Sequence, residues 1–195
     1  MGILEKFSLQ NRVALVSGGS GPQFGSSITE ALAEAGATVI SASRSMERNQ
    51  AFTNRLREEG YDAHAMQLDI TDPQSIENLG CEILNRFGRL DVLVNSAVVG
   101  LGGDFEEQTH DYWQFSASGN MSGLFAMCKT YIPSMVKQTR GSIINISSIY
   151  GVVGNDPTLY EGTDMKQPPD YTFVKAGMIN FTRYVANYYG KQGVR

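Results

Sequence analysis

Arg12-Val13-Ala14-Leu15-Val16-Ser17-Gly18-Gly19-Ser20-Gly21-Pro22-Gln23-Phe24-Gly25 joins a short apolar run to a cluster of glycines. An apolar run of this length that stops at glycine is the pattern of a buried strand ending in a tight turn. A helix is expected next. From Ser26 to Gly36 the apolar Ile28, Leu32 and Ala35 recur at helical spacing, and Gly36 closes the pattern. Strand, glycine turn and helix form the unit from which the rest of the chain is read.

The alternation continues downstream. Thr38 to Ala42 reads as a second strand, Glu47 to Gly60 as a polar, exposed helix, and Ala63 to Leu68 as a third strand. Asp72-Pro73 opens the next helix, with Asp72 as N-cap and proline in the first turn, and Gly88 ends it. Leu90 to Val94 is almost purely apolar, as strands of a parallel sheet covered on both faces are. A long helix from about Glu107 to Gln138, kinked near Pro133, precedes a fifth strand, Ser142 to Ile146. This order predicts an α/β fold, a three-layer doubly wound parallel sheet in a single domain. Gly151 to Pro169 is irregular, and a loop this long beside the helix that follows is expected to border a pocket.

Composition narrows the function. With 42% apolar and 18% charged residues the chain is globular rather than disordered. A net charge of −4 without a basic cluster leaves no electrostatic footprint for nucleic acid. Cys81 and Cys128, outside any Cys-x-x-Cys spacing, read as buried thiols in helices, which suits a reducing, cytoplasmic compartment. No continuous apolar run near the N-terminus suggests a signal peptide or a membrane span. His64 and His110 have no partner at ligand spacing, so no metal is expected.

At a first strand-to-helix junction, free backbone N–H groups and the positive end of the helix suit a dinucleotide pyrophosphate. Gly18, Gly19, Gly21 and Gly25 provide close backbone approach there, together with Ser17, Ser20 and Phe24. An acidic residue after the second strand would favour NAD, whereas arginine accommodates a 2′-phosphate. Ser43-Arg44 stands at that place, which favours NADP(H) over NAD(H). Tyr171 and Lys175 are four residues apart in a helical stretch, so both side chains can enter one pocket, where the ammonium would favour the phenolate. In isolation this spacing is weakly specific.

In this order the motifs resemble the short-chain dehydrogenase/reductase family in its single-domain form, over Leu9 to Arg195. The resemblance implies a Rossmann fold. It matches Ser17-Gly18 and Gly25 to the cofactor loop, Asp69-Ile70 to the pair beside the adenine, and Asn95-Ser96-Ala97-Val98 to the stretch after the fourth strand. Asn120, Ser148, Tyr171 and Lys175 correspond to the catalytic tetrad. It implies that Tyr171 exchanges the proton, Lys175 tunes it and holds the nicotinamide ribose, Ser148 bonds the substrate oxygen, and Asn120 positions a water. The glycine loop is one residue longer than usual and carries Pro22, Ser96 and Val98 replace asparagine and glycine, and Ser148 to Tyr171 carries an insertion.

The resemblance implies an NAD(P)-dependent oxidoreductase acting on a small-molecule alcohol or carbonyl. The insertion is similar to that of a surface-sugar-biosynthesis subgroup, pointing to a sugar-like or polyol substrate. A catalytically silent dinucleotide-binding and association module is one alternative, and a 3-oxoacyl-thioester reductase another. The chain stops at Gly193-Val194-Arg195, where the family begins its sixth strand, so a C-terminally truncated domain lacking the usual substrate loop is expected. A homodimer or homotetramer is implied through the helices of Asn120 and Tyr171, consistent with the apolar stripe Phe181, Tyr184, Val185 and Tyr188.

Overall fold

The computed structural model describes residues 2–100 and 102–195. Strands β1 (Val13–Ser17), β2 (Thr38–Ser43), β3 (Ala63–Gln67), β4 (Val92–Asn95) and β5 (Ser142–Asn145) form one parallel sheet in the order β3-β2-β1-β4-β5. The winding direction reverses at β1, so a crevice opens beyond the carboxyl ends of β1 and β4. Val13 and Leu15 join Ile40, Met66, Leu93 and Met127 in one apolar layer, and Ala14 and Val16 join Val39, Leu56 and Val94 in the other. That alternation is the period-two pattern of a strand covered on both faces.

Helices α1 (Gly25–Glu34) and α2 (Met46–Glu58) cover one face, while α3 (Pro73–Phe87) and α5 (Leu124–Lys137) cover the other. The three predicted layers are therefore present. Asp72 caps α3, its Oδ1 accepting the Gln74 N–H at 2.9 Å, and Gly88 ends it in the left-handed region at φ 72°. Helix α6 (Pro169–Tyr189) sets Met178, Phe181 and Val185 against Leu124, Cys128 and Ile132 of α5. Tyr184 and Tyr188 of the expected stripe stay exposed. After β5, Gly193 to Arg195 run parallel beside Gly141 to Ile143, joined by Ile143 N–H to the Arg195 carbonyl at 2.8 Å.

Two expectations are corrected. Cys128 is buried, and burial pushes its thiol up to about 12, but Cys81 is exposed. Helix α3 turns Ile76, Leu79, Gly80 and Ile83 inward, which leaves position 81 on the outer arc. Pro133 lies inside α5, which runs without a break from Leu124 to Lys137. The long helix is instead divided into α4 (His110–Ala117), a π-helical segment Ser118–Gly123, and α5. A Cβ on Gly119 would fall on the Val99 side chain and one on Gly123 on the Ile70 carbonyl. The two glycines let this segment lie against the loops after β3 and β4. Such π-bulges recur at functional sites.

At the opposite end of the sheet, Asp91 is buried and accepts from the Val13 N–H at 3.0 Å, Arg89 Nε at 2.7 Å and Arg12 Nη1 at 3.2 Å. Burial opposes its ionisation, yet the Arg89 fork, the Val13 amide and Arg12 together hold the carboxyl below its ordinary range. A depressed carboxyl contributes stability that is present above its unfolded value and is lost as pH falls through its folded value. Asp91→Asn should therefore cost about 2 kcal/mol at neutral pH, less than a fully buried pair because both arginines reach water. Urea unfolding should show the difference from the parent shrinking below about pH 4. A difference that stays constant down to pH 3 would contradict this account. No helix of the described residues is long and apolar enough to cross a membrane, and none of their His, Cys, Asp and Glu side chains cluster as a metal site.

Candidate active site

The chain leaves β1 through Gly18 at φ 69°, a left-handed conformation that glycine accepts readily. A Cβ on Gly18 would lie 3.2 Å from Ala97 Cα, and one on Gly19 2.9 Å from both Thr29 Oγ1 and the Val16 carbonyl oxygen. One on Gly21 would lie 2.9 Å from the Gly18 carbonyl oxygen, and one on Gly25 would fall on that oxygen. The Gly21 N–H closes the turn onto the same carbonyl at 2.8 Å. The longer loop with Pro22 thus keeps a cradle that side chains would fill. With Ser20 and the exposed Phe24 it borders a cleft of about 370 Å³.

The cleft extends to Ser43, Arg44, Ser45 and Arg48 beyond β2. Arg44 and Arg48 are exposed, and neither guanidinium has an ion-pair or hydrogen-bond partner among the described residues. Arg48 was missed in the sequence, although a second arginine four residues after Arg44 was a readable signal. Asn49 was missed too. It is fully buried, and its Oδ1 accepts from Ser20 at 2.6 Å and Ser43 at 2.9 Å while its Nδ2 donates to the Met66 carbonyl at 2.8 Å. One amide therefore ties the glycine loop to the ends of β2 and β3. Ile70 lines the cleft as expected, but the Asp69 carboxylate turns away to accept from the Thr71 N–H at 2.9 Å and Oγ1 at 2.7 Å. Leu68 takes its place on the wall.

Beyond β4, Ser96, Ala97 and Val98 form the third wall. Ser17 Oγ accepts the Ser96 and Ala97 N–H groups, each at 3.1 Å, so that hydroxyl fixes the loop rather than facing the cleft. Asn95 Nδ2 donates to Asn145 Oδ1 at 2.8 Å, and Asn95 Oδ1 is buried with no partner. Asn95 lines a small cavity with Asn120 and Lys175. Asn120 is fastened by its side chain. Its side chain bonds the Val99 backbone on both edges, accepting from N–H at 3.0 Å and donating to the carbonyl at 2.7 Å, and also donates to Ser116 Oγ at 3.0 Å. Both side-chain amide protons are therefore spent on protein.

Tyr171 and Lys175 occupy successive turns at the start of α6, with Lys175 Nζ 5.4 Å from the Tyr171 ring centroid. Lys175 is 7% exposed, and Nζ donates to the Ile146 carbonyl at 2.5 Å. Burial pushes the ammonium's pKa down. Ser148 reaches the same turn of α6 because its neighbours are fastened there. Ser147 Oγ donates to the Lys175 carbonyl at 3.0 Å, and a Cβ on Gly151 would lie 2.7 Å from that oxygen. Ser148 Oγ accepts the Tyr150 N–H at 3.2 Å, and its own proton has no acceptor among the described residues. The Tyr150 and Tyr160 hydroxyls of the same connection hydrogen-bond each other.

The glycine cradle and the two unpaired arginines fit a dinucleotide lying from β2 across β1 to β4. A sequence profile described as short chain dehydrogenase matches residues 12–195. The 3-oxoacyl-[acyl-carrier-protein] reductase FabG of Vibrio cholerae is 33% identical over 187 residues, covering 96% of this chain and 71% of that protein. A metagenomic short-chain oxidoreductase in complex with NADP superposes with a TM-score of 0.84 at 28% identity, over 96% of this chain and 80% of that one. A gluconate 5-dehydrogenase from Burkholderia cenocepacia, in complex with NADP and tartrate, gives 0.88 at 25% identity, over the whole of this chain and 72% of that one. With motifs, fold and relatives in agreement, the chain belongs to the short-chain dehydrogenase/reductase family of NAD(P)-binding oxidoreductases, acting on CH–OH or carbonyl groups.

Proposed function

We propose that the protein is an NADP(H)-dependent oxidoreductase of a small, hydroxylated carbonyl or alcohol. The observation that carries the cofactor preference is the pair of unpaired guanidinium groups, Arg44 and Arg48, at the end of β2 where an acidic residue is lacking. Charge-assisted hydrogen bonds to a 2′-phosphate favour arginine at this place. Arg44→Ala should raise the Kd for NADPH about ten-fold and leave NADH unchanged, read by nicotinamide fluorescence titration. Equal losses for both nucleotides would sink the preference.

When bound, the nicotinamide supplies or accepts the hydride. Tyr171 donates its phenolic proton to the oxygen of the nascent alcohol, or its phenolate takes that proton in oxidation. Lys175, a buried cation over the Tyr171 ring with no carboxylate paired to it among the described residues, stabilises the phenolate and would hold the ribose. Ser148 uses its unspent proton to hold the substrate oxygen. Asn120 keeps the Val99 loop in place against the catalytic helices.

The substrate class rests on the Tyr150–Tyr160 pair, two phenolic hydroxyls on the connection that carries Ser148, which offer hydrogen bonds to a polyhydroxylated molecule. The likeness to a gluconate 5-dehydrogenase supports the same class. The relatives that reduce a 3-oxoacyl thioester support a second reading. NADPH oxidation with a panel of keto-sugar acids and polyhydroxy ketones, run beside an acetoacetyl thioester, separates the two. Turnover of the thioester alone would replace the first reading with the second, and NADPH binding without turnover of either would favour the silent binding module. Exposed Phe125, Phe173, Tyr184 and Tyr188 on α5 and α6 support a homodimer or homotetramer assembled through these helices. The free thiols support a cytoplasmic setting.

A further inference from the structure

Asp170, immediately before Tyr171, is 2% exposed and has no cationic partner among the described residues. A buried carboxylate is costly unless its oxygens are satisfied. Here Oδ2 accepts from the Ser116 hydroxyl and Oδ1 from Gln108 Nε2. Ser116, fully buried, in turn accepts from Asn120 Nδ2 at 3.0 Å, and Asn120 bonds both backbone groups of Val99. Asp170 accepts both of its bonds and Asn120 donates to Ser116, so the direction of every bond in this chain is set. The Ser116 proton points to Asp170, its lone pair to Asn120, and the Asn120 oxygen is left for the Val99 N–H.

We propose that Asp170 is a positioning residue. Through Ser116 it fixes the amide of Asn120, which clamps the Val99 loop against the catalytic helix, and through Gln108 it ties down the end of the same connection between β4 and α4. Val99 lines the cofactor cleft, so the clamp joins the wall beside Ala97 and Val98 to the turn that carries Tyr171. An exposed ion cluster, Lys166 with Asp104 and Glu107, spans the same two segments on the outside. The inner chain is the stronger of the two, since its members are shielded from water.

The geometry separates acceptor function from charge. Gln108 Oε1 is buried with no partner. In Asp170→Asn the new oxygen can face Ser116 while the new Nδ2 meets Gln108 Oε1 after that amide rotates. The chain to Asn120 would then survive without the charge. Asp170→Ala and Ser116→Ala remove it.

The test is amide hydrogen exchange of the whole protein, free and with saturating NADPH, together with the emission spectrum of bound NADPH. Asp170→Ala and Ser116→Ala should each speed exchange at the Val99 amide about ten-fold, with Leu15 in β1 unchanged, and should shift bound NADPH emission toward that of the free nucleotide. Asp170→Asn should restore both readings. The proposal fails if Ser116→Ala leaves Val99 protected, or if Asp170→Asn loses as much protection as Asp170→Ala. The exchange arm decides the question even if NADPH does not bind, an outcome that would count against the cofactor reading alone.

Discussion

Tyr171→Phe is expected to lower turnover about a thousand-fold while leaving NADPH affinity within about two-fold, the range for removing a general acid without disturbing its surroundings. The substitution deletes one oxygen. The ring that lies 5.4 Å from Lys175 Nζ stays, the lysine keeps its bond to the Ile146 carbonyl, and the turn fastened by Ser147 and Gly151 is untouched. Only the hydroxyl proposed to donate the proton is lost. Single-turnover NADPH oxidation with the best substrate of the carbonyl panel, beside a fluorescence titration, reads both quantities. If the variant keeps more than about a tenth of the parent rate, another group delivers the proton and Tyr171 is not the acid. A parallel loss of NADPH affinity would instead assign the hydroxyl to holding the cofactor.

Which parts of this site were readable in advance follows from how local their causes are. The sheet was legible because each strand is a short apolar run and each helix carries its own stop signals, such as Asp72 and Gly88 around α3. The glycine turn was legible because its requirement, backbone against backbone, leaves only one residue type at Gly18, Gly19, Gly21 and Gly25. The π-helical segment was not. Gly119 and Gly123 read only as weak helix formers, and their reason lies in Val99 and Ile70, which belong to other connections. Pro133 shows the converse, since packing of Met127, Tyr131 and Met135 on the sheet keeps α5 unbroken through a local breaker. Asp170 was hidden for a further reason. An acid at the first turn of a helix already has a local explanation in the helix dipole, so nothing in the sequence pointed to Ser116, 54 residues earlier.

Gly25→Ala should cost the protein most of its cofactor affinity, raising the Kd for NADPH by about 100-fold, equivalent to roughly 3 kcal/mol. The added methyl would fall on the Gly18 carbonyl oxygen, the atom that also closes the turn by accepting the Gly21 N–H at 2.8 Å. Relief by a side-chain rotation is not available, because both colliding groups are backbone. Either the start of α1 or the Gly18 turn must move. The first is held by Thr29 Oγ1, which donates to the Gly25 carbonyl at 2.8 Å and the Gly19 carbonyl at 3.0 Å, and the second by Gly18 N–H on the Ala42 carbonyl at 2.7 Å. Displacing the turn shifts the N–H groups that would meet the pyrophosphate, and overpacking of this kind costs about 1–3 kcal/mol in stability as well. Gly154→Ala is the control, since a Cβ there meets nothing within 4 Å, and it should leave both affinity and melting temperature unchanged. If Gly25→Ala binds NADPH within about three-fold of the parent, less than 1 kcal/mol, the cradle is not where the phosphates sit. The cleft bordered by Arg44 and Arg48 would then have to hold the nucleotide by its adenosine end alone.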